Sequence, residues 1–347
     1  MTLRISSNFD SGAIEVLSID TPDNIRLRLR PDQGVDGAAP FCQWFHFRLH
    51  GAAGQGVRMV FENAAEASYP DGWPGYRCVA SYDRRNWFRI DSTRFENGQL
   101  IVEHQPERNS IYYAYFEPYS LERHLDLVGH ADASSFASVS NLGATVDGRD
   151  LDLVTVGSAG PGKRPVWIIA RQHPGESMAE WFVEGLLERL LDGADPVARR
   201  IRETAVLYIV PNMNPDGASR GNLRSNAAGA NLNREWREPT LARSPEVLVA
   251  WHAELDKTRG ANTVLDNAVR AVQQALADPD EVEYRARRVV DQLALTMQAS
   301  LLLQAGNHAV ADAFIASRLG QLGERNYGTL PRGVDLDAIL QRANPCS

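Results

Sequence analysis

The sequence has little cysteine and no long apolar run. Its 347 residues include three cysteines, Cys42, Cys78 and Cys346, whose spacing matches no metal motif and which cannot all pair within one chain. We therefore expect free thiols in a reducing compartment. Residues 1–20 show no basic segment followed by an apolar stretch, and no run approaches the roughly 20 apolar residues of a membrane span. These absences predict a cytoplasmic protein without a membrane partner.

Positive charge is also scarce. The chain carries 36 Lys and Arg against 44 Asp and Glu, for a formal net charge of −8, and shows no long basic run. Nucleic acid is therefore not an expected partner. The hydrophobic fraction of 44% and the charged fraction of 23% are those of an ordinary globular protein, and the length allows two or three domains.

Three zones of different pattern follow one another along the chain. Residues 1–118 contain short β-rich, aromatic segments separated by Gly, Pro, Asp and Asn, which predicts an antiparallel β-sandwich. Residues 119–244 alternate strand and helix patterns and predict an α/β domain with a mixed sheet. Residues 245–347 show only helical patterning, beginning with Ser244 as N-cap and Pro245 in the first turn, and predict an all-α segment.

The middle zone has the most explicit local signals. A hairpin turning at Asp-Gly is predicted over residues 140–157, and an amphipathic helix over 178–192. Residues 164–172 and 205–211 are continuous apolar runs. Such runs are typical of strands covered on both faces, so we expect both strands to be buried.

His173 and Glu176 lie three positions apart in RQHPGESMAEWF, residues 171–182. Because Pro174 disfavours the helical conformation for the residue before it, His173 should end a strand while Glu176 opens the next helix. Both side chains then point into the crevice at the carboxyl end of a strand, where open α/β sheets bind ligands. Imidazole and carboxylate suit Zn²⁺. Taken alone, an H-x-x-E pair is a weak motif and is often a surface coincidence.

A second polar stretch, residues 211–236, carries Arg224, Asn231, Asn233 and Arg234 in a glycine-rich segment beside the predicted strand end. The planar guanidinium of arginine matches a carboxylate, and asparagine adds hydrogen bonds to the same group. A metal and a carboxylate clamp on one sheet edge indicate removal of a C-terminal amino acid. The alternative interpretation is a solvated polar loop.

The chain resembles the zinc carboxypeptidases of the carboxypeptidase A superfamily, in the cytosolic carboxypeptidase branch, over residues 1 to about 246. The resemblance lies in RQHPGESMAEWFVEGLLERLL, VPNMNPDG and NAAGANLNREW, and in the β-rich CQWFHFR, ENAAEASYPDGWPGYR and YAYFEPYS. It implies His173 and Glu176 as ligands of Zn²⁺, and Arg224 as the group that polarises the scissile carbonyl. It also implies Asn233 and Arg234 as the pair that holds the terminal carboxylate of a peptide or protein substrate.

Two motifs of that family do not occur in this chain: the DVHGDE-like strand end with the third zinc ligand, and the LEMP-like strand with the catalytic glutamate. A general-base glutamate is therefore not found. The downstream histidines are His252, within a predicted helix, and His308, in a turn between helices; His252 is an unfavoured substitute ligand. We expect a truncated α/β domain with severely impaired turnover.

Residues 247 to about 343 resemble the C-terminal helical end of acyl-CoA dehydrogenase-like proteins. We interpret the chain as a fusion of two pieces joined near Ser244, and the second piece brings no flavin site. Two other functions stay open at this point. One is a non-catalytic β-sandwich and helical binding module, and the other is a zinc acylase of the aspartoacylase type, which shares H-x-x-E and an Asn-Arg pair.

Overall fold

The N-terminal region forms two five-stranded sheets in a computed structural model that describes residues 3–32, 40–160, 162–236, 239–277, 282–306, 308–320 and 330–343. The first sheet has, in order, β1 (Arg4–Ser6), β4 (His46–His50), β10 (Ser110–Ala114), β6 (Val79–Ser81) and β7 (Phe88–Arg89). The second has β2 (Glu15–Thr21), β3 (Asn24–Arg28), β5 (Val57–Phe61), β9 (Gln99–His104) and β8 (Thr93–Glu96).

Both sheets contribute to one hydrophobic cluster. Phe47 and Tyr113 of the first sheet and Met59 and Phe61 of the second are fully buried in it. Alternate side chains along each strand point to one face, so a period-two sequence pattern is sufficient to build this core.

Two of the three cysteines lie in the same cluster. Cys42 and Cys78 are buried and free, as expected from their spacing, and Cys346 lies outside the described residues. Burial raises the pKa of the Cys42 thiol to about 11, so this thiol is protonated and unreactive at neutral pH. Both thiols therefore act as small apolar side chains of the core.

One strand pair departs from the predicted antiparallel arrangement. β3 pairs with β5 in parallel, with Ile25 opposite Met59, so the expectation of a purely antiparallel region is wrong at this position. The physical reason is the path of the chain. β4, which lies between β3 and β5 in sequence, belongs to the other sheet, and the chain therefore returns to the second sheet running in the same direction.

The middle region forms a four-stranded mixed sheet with the order β11-β12-β14-β13. Its elements are α1 (Leu121–Asp132), β11 (Ala137–Ala144), β12 (Asp150–Val156), β13 (Arg164–Ile169), α2 (Met178–Leu190), α3 (Pro196–Thr204) and β14 (Ala205–Val210). The predicted hairpin is confirmed, since β11 and β12 are antiparallel and Gly148 of the turn has a φ of 80°. β13 and β14 are parallel, so the sheet is mixed as predicted.

Helices cover both faces of this sheet. Along β12 and β14, Val154 and Ile209 pack against α1 and α2, whereas Leu153 and Val210 face the opposite side. The opposite side is covered by α6 (Pro245–Asp256), through residues such as Val247. The first helix after Ser244 therefore completes the core of the α/β sheet.

β13 is less buried than its apolar sequence predicts. It is the terminal strand of the sheet in the described part of the chain, and Val166 and Ile169 are 38% and 37% exposed. The expectation that residues 164–172 are covered on both faces is wrong for the strand itself, 164–169, because side chains beside the free edge of a terminal strand have fewer neighbours. Ala170 and Arg171, which follow the strand, are buried. The second apolar run is buried as expected, because β14 lies between two strands.

All named elements after β14 in the described ranges are helical, which confirms the prediction for the part after Ser244. They are α4 (Pro215–Arg220), α5 (Leu232–Glu235), α6, α7 (Thr263–Ala277), α8 (Val282–Gln304), α9 (His308–Arg318) and α10 (Leu336–Ala343). The expectation of a loop without regular structure over 211–236 is wrong at two places, because the N-cap side chains of Asn214 and Asn231 begin the short helices α4 and α5 there. Ser244 occupies the N-cap position of α6 and Pro245 its first turn. Within the described residues, no helix has the length and apolar character needed to cross a membrane.

A polar cluster joins α6 and α8 to the sheet. The buried Glu254 accepts a hydrogen bond from the indole of Trp167 on β13 and one of 2.6 Å from Gln304 on α8. The Lys257 ammonium lies 2.6 Å from Glu254 and 3.0 Å from the ring centroid of Tyr208 on β14. These contacts are specific hydrogen bonds and a cation–π contact, so the helices do more than cover apolar surface.

His124 links α1 to the sheet and to α2. Its Nδ1 lies 2.7 Å from Glu180 and its Nε2 lies 3.0 Å from Asp152, and the ring is buried. Burial alone would lower the pKa of His124, but the hydrogen bonds to Asp152 and Glu180 outweigh it and raise the pKa from 6.5 to about 9. The protonated ring is therefore part of the folded structure at neutral pH.

Folding should depend on pH through His124. Because the folded-state pKa is raised, this contribution is fully present below the unfolded value of 6.5 and is lost as the pH rises through about 9. We expect the free energy of unfolding, from denaturant titrations across this window, to fall more steeply in the wild type than in His124→Gln. His130→Gln, an exposed change on the same helix, should follow the wild type. Identical pH dependence in wild type and His124→Gln would contradict the assignment.

Candidate active site

The loop after β13 is held by a buried arginine. Arg171 has a φ of 48°, which is unusual for a residue with a side chain and turns the chain sharply after the strand. Its guanidinium donates to the carbonyls of Pro174 and Tyr119, at 3.0 and 2.8 Å, and to the carboxylate of Glu180 at 2.7 Å. The turn that carries His173 is thereby fixed from inside the protein.

Close backbone packing brings a second loop against the first. The amide of Gly175 donates to the carbonyl of Leu223 at 2.9 Å. At Gly217, a Cβ atom would lie 2.4 Å from the carbonyl oxygen of Ser225 and 2.5 Å from Pro174 Cγ, which is closer than real atoms approach. Only glycine fits there, so the loops around residues 173–176 and 223–225 can touch.

His173 and Glu176 meet in the loop between β13, which ends at Ile169, and α2, which begins at Met178. The prediction that the two side chains lie together after the strand is confirmed, but the expectation that His173 ends the strand and Glu176 opens the helix is wrong, because the chain turns away from the strand before His173, at Arg171. The imidazole Nδ1 lies 3.0 Å from Glu176 Oε1, and His173 is buried whereas the Glu176 side chain is about half exposed at 49%. The hydrogen bond with His173, with help from the charge of Arg224, lowers the pKa of Glu176. The carboxylate is therefore ionised and accessible from the crevice at neutral pH.

The guanidinium of Arg224 lies beside this pair. Its Nη2 is 3.1 Å from both ring nitrogens of His173 and 3.9 Å from Glu176 Oε1. Equal distances to the two nitrogens place Nη2 over the ring face, because an in-plane position would collide with the carbon between them. The Arg224 side chain also donates to the Tyr69 hydroxyl and stacks near Phe41, at 5.7 Å from its centroid. A positive charge thus faces both predicted metal ligands.

Only part of the asparagine-containing stretch, residues 211–236, contacts this cluster. Asn231, the N-cap of α5, has its Oδ1 3.2 Å from His173 Nε2 and accepts the Asn233 amide at 3.2 Å. Asn233 and Arg234 are exposed on this short helix, and within the described ranges neither side chain contacts His173 or Glu176. The structure thus brings together four of the polar residues that the motifs single out, and leaves Asn233 and Arg234 at the rim.

The side chains present do not complete a catalytic zinc site. Catalytic zinc uses three protein ligands and an open position. In the described ranges, no group of three His, Cys, Asp or Glu side chains is arranged to hold a metal ion. His173 and Glu176 supply two candidate ligands, and the neighbouring cation of Arg224 interacts with the same two groups. The donor set is one ligand short.

Neither downstream histidine joins the pair. His252 lies on α6 with its ring 4.9 Å from that of Trp251, and burial lowers its pKa. Its Nε2 is buried without a partner in the described part of the chain, but it forms no metal-type group with His173 and Glu176. His308 is exposed at the start of α9.

Sequence reasoning did not identify several residues that build the site. Glu180 falls on the same face of α2 as Val183 and Leu187, and a charged residue at a core-facing position was a usable signal. Asp32 and Tyr69 come from the N-terminal region, more than 100 residues before the loops that they contact, and no local pattern marks them. Burial raises the pKa of Asp32, although hydrogen bonds from the backbone oppose this.

Two family models match the chain. A cytosolic carboxypeptidase N-terminal domain matches residues 5–116, and a zinc carboxypeptidase domain matches residues 124–290. The second match covers the H-x-x-E pair and both polar loops, and it extends beyond Ser244. The chain belongs to the zinc carboxypeptidase family and carries the N-terminal domain of cytosolic carboxypeptidases.

Solved and curated relatives agree with this family. The metallo-carboxypeptidase from Burkholderia cenocepacia is 56% identical, with a TM-score of 0.70, over 73% of this chain and 66% of that chain. The metallo-carboxypeptidase from Pseudomonas aeruginosa, in complex with (2-guanidinoethylmercapto)succinic acid, is 44% identical with a TM-score of 0.68 over the same shares. Human cytosolic carboxypeptidase 1 is 32% identical over 73% of this chain. The chain spans about two thirds of the two bacterial proteins but only 24% of the human one.

Metal binding should depend on the pair between β13 and α2. We expect His173→Ala and Glu176→Ala to lower the zinc bound in equilibrium dialysis at a fixed free zinc concentration, because each removes one of the two candidate ligands. His252→Ala should leave the zinc content unchanged. Elemental analysis of the three variants checks this, and an equal loss in His252→Ala would show that α6 supplies a ligand.

Proposed function

We propose that this chain binds the C-terminal ends of peptides or proteins at the crevice of His173, Glu176 and Arg224, as a zinc metallocarboxypeptidase with severely impaired turnover. The observation that carries the proposal is the position of Arg224, whose guanidinium lies 3.1 Å from the ring nitrogens of His173. A guanidinium in this crevice can pair with a carboxylate or polarise a carbonyl oxygen.

Asn233 and Arg234, at the rim of the crevice, provide further groups that can bind a carboxylate. Asn233 and Arg234 are exposed on α5, two and three positions after Asn231, which contacts His173. We assign them to the terminal carboxylate and Arg224 to the carbonyl next to it. The Pseudomonas aeruginosa relative was solved in complex with a succinic acid derivative, which is in keeping with carboxylate recognition.

Impaired turnover follows from the donor set. Peptide hydrolysis by this family's route needs a metal with three protein ligands and a positioned general base. The described residues supply two ligands, and no glutamate other than Glu176 lies with them. We infer that zinc binds weakly through His173 and Glu176. The chain then retains substrate binding as its main property, while catalysis is largely lost.

The wider organisation is part of the proposal. We infer a β-sandwich at 1–118, a partial α/β domain at 119–244 and a helical segment at 245–347 in a cytoplasmic protein. The separate hydrophobic clusters of the N-terminal sheets and of the last helices support this division, while the packing of α6 on the sheet joins the last two units. Descent of the helical segment from acyl-CoA dehydrogenase-like proteins remains a hypothesis about its sequence.

Binding can be tested with a matched pair of peptides. We expect the intact chain to bind a peptide with a free C-terminal carboxylate at least about 10-fold more tightly than the same peptide with an amidated C-terminus, by isothermal titration calorimetry. Arg224→Ala should abolish most of this preference, whereas Arg259→Ala, an exposed arginine of the helical segment, should preserve it. Equal affinity for the two peptides would contradict the proposal.

Turnover separates the proposal from a non-catalytic binding module. Release of the C-terminal amino acid, measured by mass spectrometry with zinc added, should be far slower than for the Burkholderia cenocepacia metallo-carboxypeptidase assayed in parallel. Robust, zinc-dependent release would show that the missing groups are supplied after all. Complete absence of release together with carboxylate-dependent binding would favour the binding module.

A further inference from the structure

We infer that Asp32 is a positioning residue through which the N-terminal region sets the substrate preference of the site, an inference that rests on the proposed function. Asp32 lies directly after a strand-rich segment of the N-terminal region, 192 residues before Arg224 in sequence. Its carboxylate nevertheless accepts three consecutive backbone amides of the loop that carries Arg224.

The geometry of this contact is specific. Asp32 Oδ1 accepts the amide of Leu223 at 2.6 Å, and Oδ2 accepts the amides of Arg224 and Ser225 at 2.8 and 2.9 Å. Asp32 is only 4% exposed. Hydrogen bonds from neutral donors to a buried carboxylate are stronger than those between neutral groups, and the three bonds here offset part of the cost of removing the carboxylate from solvent.

Binding three successive amides fixes the direction of the backbone at Arg224. The Arg224 side chain contacts two other residues of the N-terminal region, through the hydroxyl of Tyr69 and the ring of Phe41. Its Nε is buried without a partner among the described residues, so the side chain is not locked by contacts within its own loop. The position of the guanidinium over His173 thus depends on a loop conformation that Asp32 maintains.

An amide side chain cannot reproduce this contact. Asparagine at position 32 has one acceptor oxygen and one amide group, and the amide group would face a backbone N–H donor. Asp32→Asn therefore loses at least one of the three bonds and places two donors opposite each other. The loop at Leu223, Arg224 and Ser225 should loosen while both N-terminal sheets, which do not use this carboxylate, stay folded.

The first test uses the unliganded protein and does not depend on the proposed function. We expect Asp32→Asn to speed amide hydrogen exchange at residues 223–225 by about 10-fold or more, with the exchange of β5 and β9 unchanged. Asp91→Asn, a change at an exposed carboxylate of the same region, should alter neither. Unchanged exchange at 223–225, or an equal rise throughout the chain, would overturn the inference.

The second test is a double-mutant cycle on binding. Asp32→Asn should reduce the preference for a free over an amidated C-terminus by about 10-fold, and should have no further effect in an Arg224→Ala background. If Asp32→Asn acted through a general loss of stability, it would change binding by the same factor in the wild type and in the Arg224→Ala background. That result would overturn the inference. If Asp32→Asn does not fold, Asp32→Glu, which keeps the carboxylate but displaces it by one methylene, takes its place in both tests.

The two proposals fail in different ways. If the wild type shows no preference for the free carboxylate, the proposed function is wrong, and the exchange measurement still decides whether Asp32 holds the loop. If the preference exists but is insensitive to Asp32→Asn, the proposed function stands and the inference about Asp32 is overturned.

Discussion

Arg171 and Glu180 form an ion pair of 2.7 Å whose side chains are 2% and 0% exposed, and the geometry of the crevice depends on it. Arg171 binds the carbonyl of Pro174 in the turn after β13 and that of Tyr119 just before α1. Glu180 also binds His124 of α1 and Asn212 of the loop after β14. Removing one partner of a buried pair typically costs about 3–5 kcal/mol, because the other charge is left unpaired. The turn that presents His173 is rigid for this reason.

The other half of the crevice is held from outside the α/β sheet. Asp32 of the N-terminal region binds the backbone of the loop that carries Arg224, and Glu246 of α6 accepts from the Asn226 side chain of the same loop at 3.2 Å. Burial raises the pKa of Glu246 to about 7. The loop that carries Arg224 is thus bound to the N-terminal region through Asp32 and to the helical segment through Glu246. Contacts from three regions therefore meet at a single site.

Local features were predictable from the sequence because their causes are local. The Asp-Gly hairpin and the amphipathic α2 each follow from a few neighbouring residues. The end of β13 does not, since the strand stops at Ile169 and not at His173. The parallel pairing of β3 with β5 and the exposed edge of β13 depend on which strands become neighbours, and apolar patterning carries no such information.

The contacts that complete the site are long-range, and for that reason no motif predicted them. Asp32 reaches a loop 191–193 residues away, and the contact of Tyr69 with Arg224 spans 155 residues. The motifs did indicate which polar residues belong together, since His173, Glu176, Arg224 and Asn231 lie in one cluster. They could not indicate that a guanidinium would face the two predicted metal ligands.

We infer that the described residues of this crevice form a cation-paired His173 and Glu176 and not a complete zinc site. Anomalous diffraction at the zinc absorption edge, from crystals of the chain grown with zinc and a peptide bearing a free C-terminus, tests this most directly. We expect no fully occupied zinc with three protein ligands at this position, and we expect the guanidinium of Arg224 beside the imidazole of His173. A fully occupied zinc bound by His173, Glu176 and a third side chain of this chain would contradict this inference.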